Sequence, residues 1–284
     1  MFFLRLLSRL PLPILYLFAD FLVLLAYRIV GYRKKVVTQN LRRSFPDKSD
    51  KEIEHITKGF YHNLAYVVVE IVKAVTISRK EMQQRVSIKN PEVLQGYIDD
   101  GKPVLVLASH QCNWEWVLLG AGAHFNFPMD AVYKPLTENF SEQLMLGIRS
   151  KFGGKPIPSN QTVREILKRR SVVRAFGMVA DQVPVKEEKK HWVTFLGQET
   201  PFFIGAEKIA QLTKYPVLFI RVHRPKRGYY ELEFVNISEP PYNKESFDIV
   251  EKYAAECERL IRDYPSDWLW SHKRWKYTRE QAGD

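Results

Sequence analysis

The sequence predicts an α/β fold: a mixed sheet flanked by helices and preceded by an N-terminal membrane-anchor helix. Three features carry that expectation. From residue 103 onward, short apolar runs of strand length alternate with stretches of helical periodicity. The first 30 residues contain one long apolar run with basic residues on both sides. With 284 residues and 45% hydrophobic content, the chain can fill the core of one large domain or two small ones, which excludes disorder as its main state.

The apolar run, Ile14 to Val30, reads ILYLFADFLVLLAYRIV and carries only Asp20 and Arg28 as charges. A helix of that length measures about 26 Å at 1.5 Å per residue, against a hydrocarbon core of about 30 Å, and Phe2 to Leu12 add further apolar residues. No small-x-small cleavage site follows it, so it reads as a retained segment and not as a removed signal peptide. Of the eight basic residues between Met1 and Arg43, six lie toward its C-terminal side, Arg28 at the end of the run and five beyond it. The positive-inside tendency then leaves the bulk of the protein in the cytoplasm, with the run from Arg33 to Arg43 suited to an anionic membrane surface. A buried helix of a soluble core is the competing reading, and whether an anchor spans the bilayer or lies in its interface stays open. The expected division is residues 1–45 as anchor and basic juxtamembrane segment, and 46–284 as the domain behind it.

Lys and Arg outnumber Asp and Glu by 43 to 32, a net charge of +11. That field favours nucleic acid, anionic membrane or acidic substrates without choosing among them, and the apolar N-terminus argues against nucleic acid. Two cysteines, Cys112 and Cys257, cannot make a disulfide framework or a cysteine-based zinc site.

Residues 48–85 look helical, with Asp47 or Ser49 as cap and Ile53, Ile56, Phe60, Leu64, Val67 and Ile71 at helical spacing. Beyond Asn90–Pro91 the expected order is a strand at 103–108, a helix at 113–124, a strand at Met129–Tyr133, and helices near 138–150 and 161–170. There follow a strand at Val172–Ala180, an exposed polar loop at Pro184–Lys190, a helix at 202–213, strands at Val217–His223 and Tyr230–Ile237, and a helix near 246–262.

The stretch Ser109-His-Gln-Cys-Asn-Trp-Glu115 follows the first of these strands and opens a helix. On one continuous helix His110 and Glu115 would stand about 140° apart. They meet only if His110 lies at the strand end and Glu115 in the first helical turn, with Asn113 as N-cap. The helix dipole then favours an ionised Glu115 able to orient the imidazole, and a neutral His110 suits a general base that activates a hydroxyl. A hydrogen-bonded structural histidine is the alternative. Asp181-Gln182 ends a later strand, where α/β folds place functional groups, although a turn or cap would also explain it. A metal hydrolase fits poorly, because no second His stands at helical ligand spacing from His110.

Six segments in order resemble the late acyltransferases of lipid A biosynthesis, the lauroyl and myristoyl transferases within the H-x4-D/E acyltransferase class. After the apolar N-terminus come His110 to Glu115, Val132-Tyr133-Lys134-Pro135, Asp181-Gln182, Phe195-Leu196-Gly197 with Thr200, and Trp270 to Lys276. The resemblance covers nearly the whole chain. It implies transfer of an acyl group from an acyl carrier protein thioester to a hydroxyl of a lipid A precursor, at the cytoplasmic face of the inner membrane. His110 and Glu115 would be the catalytic pair, and Lys134, Arg149, Asp181 and Gln182 the candidates for substrate binding or the oxyanion. Lys134 stands where the family commonly has Arg, which removes a bidentate fork. Gly197 and Thr200 would shape a loop before a helix starting near Phe202. The aromatic and basic C-terminus suits either a headgroup-level surface or a segment docked on the core. Neither metal nor organic cofactor is implied beyond the acyl thioester co-substrate. The same chemistry on a phospholipid or aminolipid acceptor is the alternative activity.

Overall fold

The computed structural model describes residues 2–283. The chain opens with α1 (Phe2–Ser8) and α2 (Leu12–Val23), which continues into a π-helical turn at Leu24–Ile29. Next come α3 (Lys34–Ser44) and the long α4 (Asp50–Ala74). Ser49 and Glu52 form a reciprocal capping box at the start of α4. The helical periodicity read over 48–85 is interrupted: the chain leaves the helix after Ala74, and Ser78 caps a separate α5 (Arg79–Arg85) by accepting from the Glu81 amide.

A short β1 (Val86–Ile88) and α6 (Pro91–Asp99) lead into the alternating region. It comprises β2 (Val104–Ala108), α7 (Trp114–His124), β3 (Met129–Tyr133), α8 (Asn139–Arg149), β4 (Pro156–Pro158), α9 (Thr162–Lys168) and β5 (Ala175–Val179). The chain finishes with β6 (Lys190–Phe195), β7 (Gln198–Phe203), α10 (Gly205–Thr213), β8 (Val217–Lys226), β9 (Tyr229–Ser238), α11 (Asp248–Asp263) and α12 (Arg279–Ala282).

Seven strands form one mixed sheet in the order β1-β9-β8-β2-β5-β3-β4, parallel from β8 to β4, with β9 antiparallel to β8. β2 lies at its centre and is buried on both faces, which is why it reads as an unbroken apolar run. Val104 and Val106 pack in the layer that holds α7, whereas Leu105 and Leu107 pack in the layer that holds α10 and α11.

Two expectations are corrected. Residues 190–203, read as the end of a loop and the start of a helix, form an antiparallel hairpin, and the helix begins only at Gly205. Leu196 and Gly197 both adopt left-handed backbone, as a two-residue primed turn requires, so Gly197 turns a hairpin and Thr200 lies inside β7. The N-terminal segment, expected as a unit apart, shares the core of the domain behind it. Leu12, Leu15, Tyr16 and Ala19 of α2 pack with Ala65, Tyr66 and Val69 of α4, while Leu17, Phe18, Phe21 and Leu24 on the other side are exposed.

Candidate active site

Because α/β sheets open a crevice beyond the carboxyl ends of their parallel strands, the ends of β2, β3 and β5 are where chemistry is expected. His110 lies just past β2, Lys134 just past β3, and Asp181 and Gln182 just past β5. β2 and β5 run parallel with a constant offset that pairs Ala108 with Val179, and the same offset of 71 residues carries His110 to Asp181. The register of two adjacent strands therefore brings the pair together.

Their contact is close. The His110 Nδ1 is 2.6 Å from the Asp181 Oδ1, and the His110 backbone N–H donates to Oδ2 at 2.9 Å. The Trp268 indole N–H donates to the same Oδ2 at 2.7 Å. Burial alone would raise the Asp181 carboxyl, but the His110 ring and these three donors outweigh it and hold the group at about 2. An ionised Asp181 keeps the ring proton on Nδ1 and leaves the Nε2 lone pair free as an acceptor. The Gln182 amide nitrogen lies 3.2 Å from that Nε2, and Trp114 meets the imidazole edge-on.

Glu115 occupies the first turn of α7, as expected, but its oxygens are not turned to the ring. Both accept from Arg149, at 2.9 and 2.6 Å from Nε and Nη2. This corrects the sequence reading: the imidazole is oriented by Asp181, and Glu115 forms a buried bidentate ion pair. The physical reason is reach, since Arg149 arrives at the end of α8 against the α7 N-terminus, with its guanidinium also over the Tyr133 ring. Arg149 Nη1 is buried and has no hydrogen-bond partner.

His110, Glu115, Lys134, Arg149 and Gln182 all line one cavity of about 260 Å³, and Asp181 stands behind His110. The rest of its wall is largely apolar, with Val106, Val117, Leu118, Met129, Met178 and Ile220 among the contributors. The cavity therefore combines a mainly apolar wall with a small number of polar and charged side chains.

The turn that holds His110 is clamped from the C-terminal segment. The His110 carbonyl accepts from Leu269 N–H, and the Cys112 N–H donates to the Asp267 carbonyl, which holds Cys112 in left-handed backbone at φ 51°. Trp268 and Trp270 are buried, so this segment is docked on the core. His272 Nε2 accepts from the Val183 N–H at 3.1 Å, and burial together with Arg274 pushes its pKa down to about 4, keeping it a neutral acceptor. The parts played by Trp268 and His272 at the site had no signal in spacing; the density of aromatic and basic residues and the resembling segment Trp270 to Lys276 marked their neighbourhood.

Among the described residues, no group of three or more His, Cys, Asp or Glu side chains is arranged to hold a metal ion. Cys112 and Cys257 are both free and buried.

No curated protein matches the sequence. The model of the bacterial lipid A biosynthesis acyltransferase family matches residues 1–277, nearly the whole chain, and the protein belongs to this family of acyltransferases.

Proposed function

We propose that the protein transfers a fatty acyl group from an acyl carrier protein thioester to a hydroxyl of a lipid A precursor, with His110 as general base oriented by Asp181. The observation that carries this reading is the His110–Asp181 pair, with Asp181 buried behind a His110 ring that lines a largely apolar cavity. The acceptor hydroxyl gives its proton to His110 Nε2 as its oxygen attacks the thioester carbonyl carbon. The tetrahedral adduct then collapses, the C–S bond breaks, and the leaving sulfur takes that proton from the imidazolium. General-base help of this kind is worth about 10²–10⁴ in rate. Arg149 and Lys134, which both line the cavity, supply positive charge for the developing oxyanion or for a phosphate on the glycolipid. Gln182 holds the Nε2 side of the ring until the acceptor hydroxyl replaces it.

The surroundings support a bacterial inner-membrane location with the site on the cytoplasmic side. α2 and its π-helical extension form an 18-residue apolar stretch, Leu12–Ile29, of mean hydropathy 1.8. Because one stripe of it is committed to α4, the reading that fits is a helix lying in the interface with Leu17, Phe18, Phe21 and Leu24 turned to lipid. Arg28 near its end and Arg33, Lys34 and Lys35 after it suit an anionic leaflet.

The test is mass spectrometry of total lipid extracts, lipid A included, from cells lacking the protein and from the same cells carrying wild type or Asp181→Asn. One secondary acyl chain missing from lipid A and restored only by wild type is the expected result. Unchanged lipid A with an acyl group missing from a phospholipid or aminolipid would move the function to that acceptor.

A further inference from the structure

Glu70 is a carboxylate that the mechanism above does not use. It lies near the C-terminal end of α4, fully buried, and no Lys or Arg pairs with it among the described residues. Three donors from three other elements converge on it instead. The Tyr16 hydroxyl of α2 donates to Oε1 at 2.6 Å, while the Tyr230 hydroxyl of β9 and the Asn113 side-chain amide donate to Oε2 at 2.6 and 2.8 Å. Its own backbone carbonyl accepts from the Trp116 indole at 3.0 Å. Burial of an unpaired carboxylate is costly, and a leucine would fill the space without that cost. What the carboxylate adds is direction, because each bond fixes a different element to α4.

One of the three side-chain partners, Asn113, belongs to the active-site turn, and Trp116, which bonds the Glu70 carbonyl, lies in the helix that turn opens. Asn113 stands three residues after His110 and caps α7 by accepting from the Trp116 amide at 3.1 Å. The residues between and just beyond, Trp114 against the imidazole and Glu115 with Arg149, sit on that same cap. Another partner, Tyr16, is on the inner face of α2, the helix whose outer face is apolar and exposed. Through these bonds Glu70 joins the outer helix to the turn bearing the base.

We propose that Glu70 is a positioning residue for acyl transfer: it ties the seat of α2 to the Asn113 cap, so that His110, Trp114 and Glu115 are held in working geometry only when α2 is docked. The proposal rests on the acyltransferase reading for its rate prediction, but its structural half does not. Misplacement of reacting groups by about 1 Å costs up to about 10²-fold in rate, and the loss of one of the three bonds acts through such a shift.

Tyr16→Phe removes one bond and leaves the outer face of α2 unchanged; Glu70→Leu removes all three; Glu70→Gln keeps an acceptor oxygen and the side-chain volume. Two measurements are made on the purified full chain. The first is acyl transfer from acyl carrier protein thioester to a lipid A precursor in mixed micelles. Tyr16→Phe is expected to lower kcat about tenfold with KM nearly constant, and Glu70→Gln to recover most of the rate lost in Glu70→Leu. The second is amide hydrogen exchange without substrate. Residues 110–117 are expected to exchange faster in Tyr16→Phe and Glu70→Leu, with β2 and β8 as protected as in wild type. Unchanged exchange at 110–117 in Tyr16→Phe, or a change confined to KM, overturns the proposal. If Glu70→Leu fails to fold, Tyr16→Phe decides alone. Absence of acyl transfer by wild type would sink the acyltransferase reading instead, and the exchange result would still judge the tie.

Discussion

Two carboxylates stand at the candidate active site and are engaged in opposite ways. Asp181, past the end of β5, places both oxygens on the His110 turn and takes a third hydrogen bond from Trp268. Glu115, in the first turn of α7, gives both oxygens to Arg149. The first fixes a tautomer, and the second fixes a cation in the cavity wall. Nearness in sequence is therefore a poor guide to which acid serves a base: Glu115 is five residues from His110, Asp181 is 71 away, and Asp181 holds the ring.

The contrast is broken first at the imidazole. His110→Ala should cut turnover by about 10²–10⁴-fold. Asp181→Asn should cut it by at least about 10²-fold, since Asn carries no charge and permits the wrong tautomer. Steady-state rates on purified variants with wild-type melting behaviour check both. The Glu115–Arg149 pair sharpens the contrast from the other side. Glu115→Gln and Arg149→Met are each expected to lose about ten- to a hundredfold in rate, and the double variant no more than either single one, because each removes the same unit. Breaking this buried pair should also cost about 3 kcal/mol of stability by denaturant titration. A Glu115→Gln defect that adds fully to Arg149→Met would mean that Glu115 acts apart from Arg149.

Lys134 gives a smaller effect. It is exposed at the end of β3, so Lys134→Ala should raise KM for the glycolipid about fivefold and leave kcat nearly constant, as loss of an exposed charge contact does. The smallest effect concerns acid stability. The folded protein keeps His272 neutral down to about pH 4, whereas an unfolded chain protonates it near 6.5. The unfolded state then binds more protons within that window, so stability present above pH 6.5 is lost as pH falls through it. His272→Gln should show a shallower fall in melting temperature between those values.

How much of this was legible follows from residue chemistry. The strands at 104–108, 129–133, 217–226 and 229–238 announce themselves as apolar runs, and α7 by its Asn113 cap. The hairpin 190–203 does not, because its first strand carries Lys190, His191 and Thr194 and its turn rests on a left-handed Leu196 before Gly197. The edge strands β1 and β4 are three residues long, and β4 holds two prolines, tolerable only at an edge. At the site, His110 was legible from its place after a buried strand. Its partner was not, because the pairing of β2 with β5 is a long-range register, and a local carboxylate offered a simpler match. The apolar N-terminus was legible as a helix with an exposed apolar face. Its attachment to α4 depends on Tyr16, Tyr66 and Glu70, which carry no periodic signal of their own.

The most direct test of the central claim is a double-mutant cycle on single-turnover acyl transfer by the purified protein, with His110→Ala, Asp181→Asn and both together. If the two residues form one device, the double variant is no slower than His110→Ala alone. If Asp181→Asn lowers the rate by the same factor with and without His110, the carboxylate acts elsewhere and the His110–Asp181 account is contradicted.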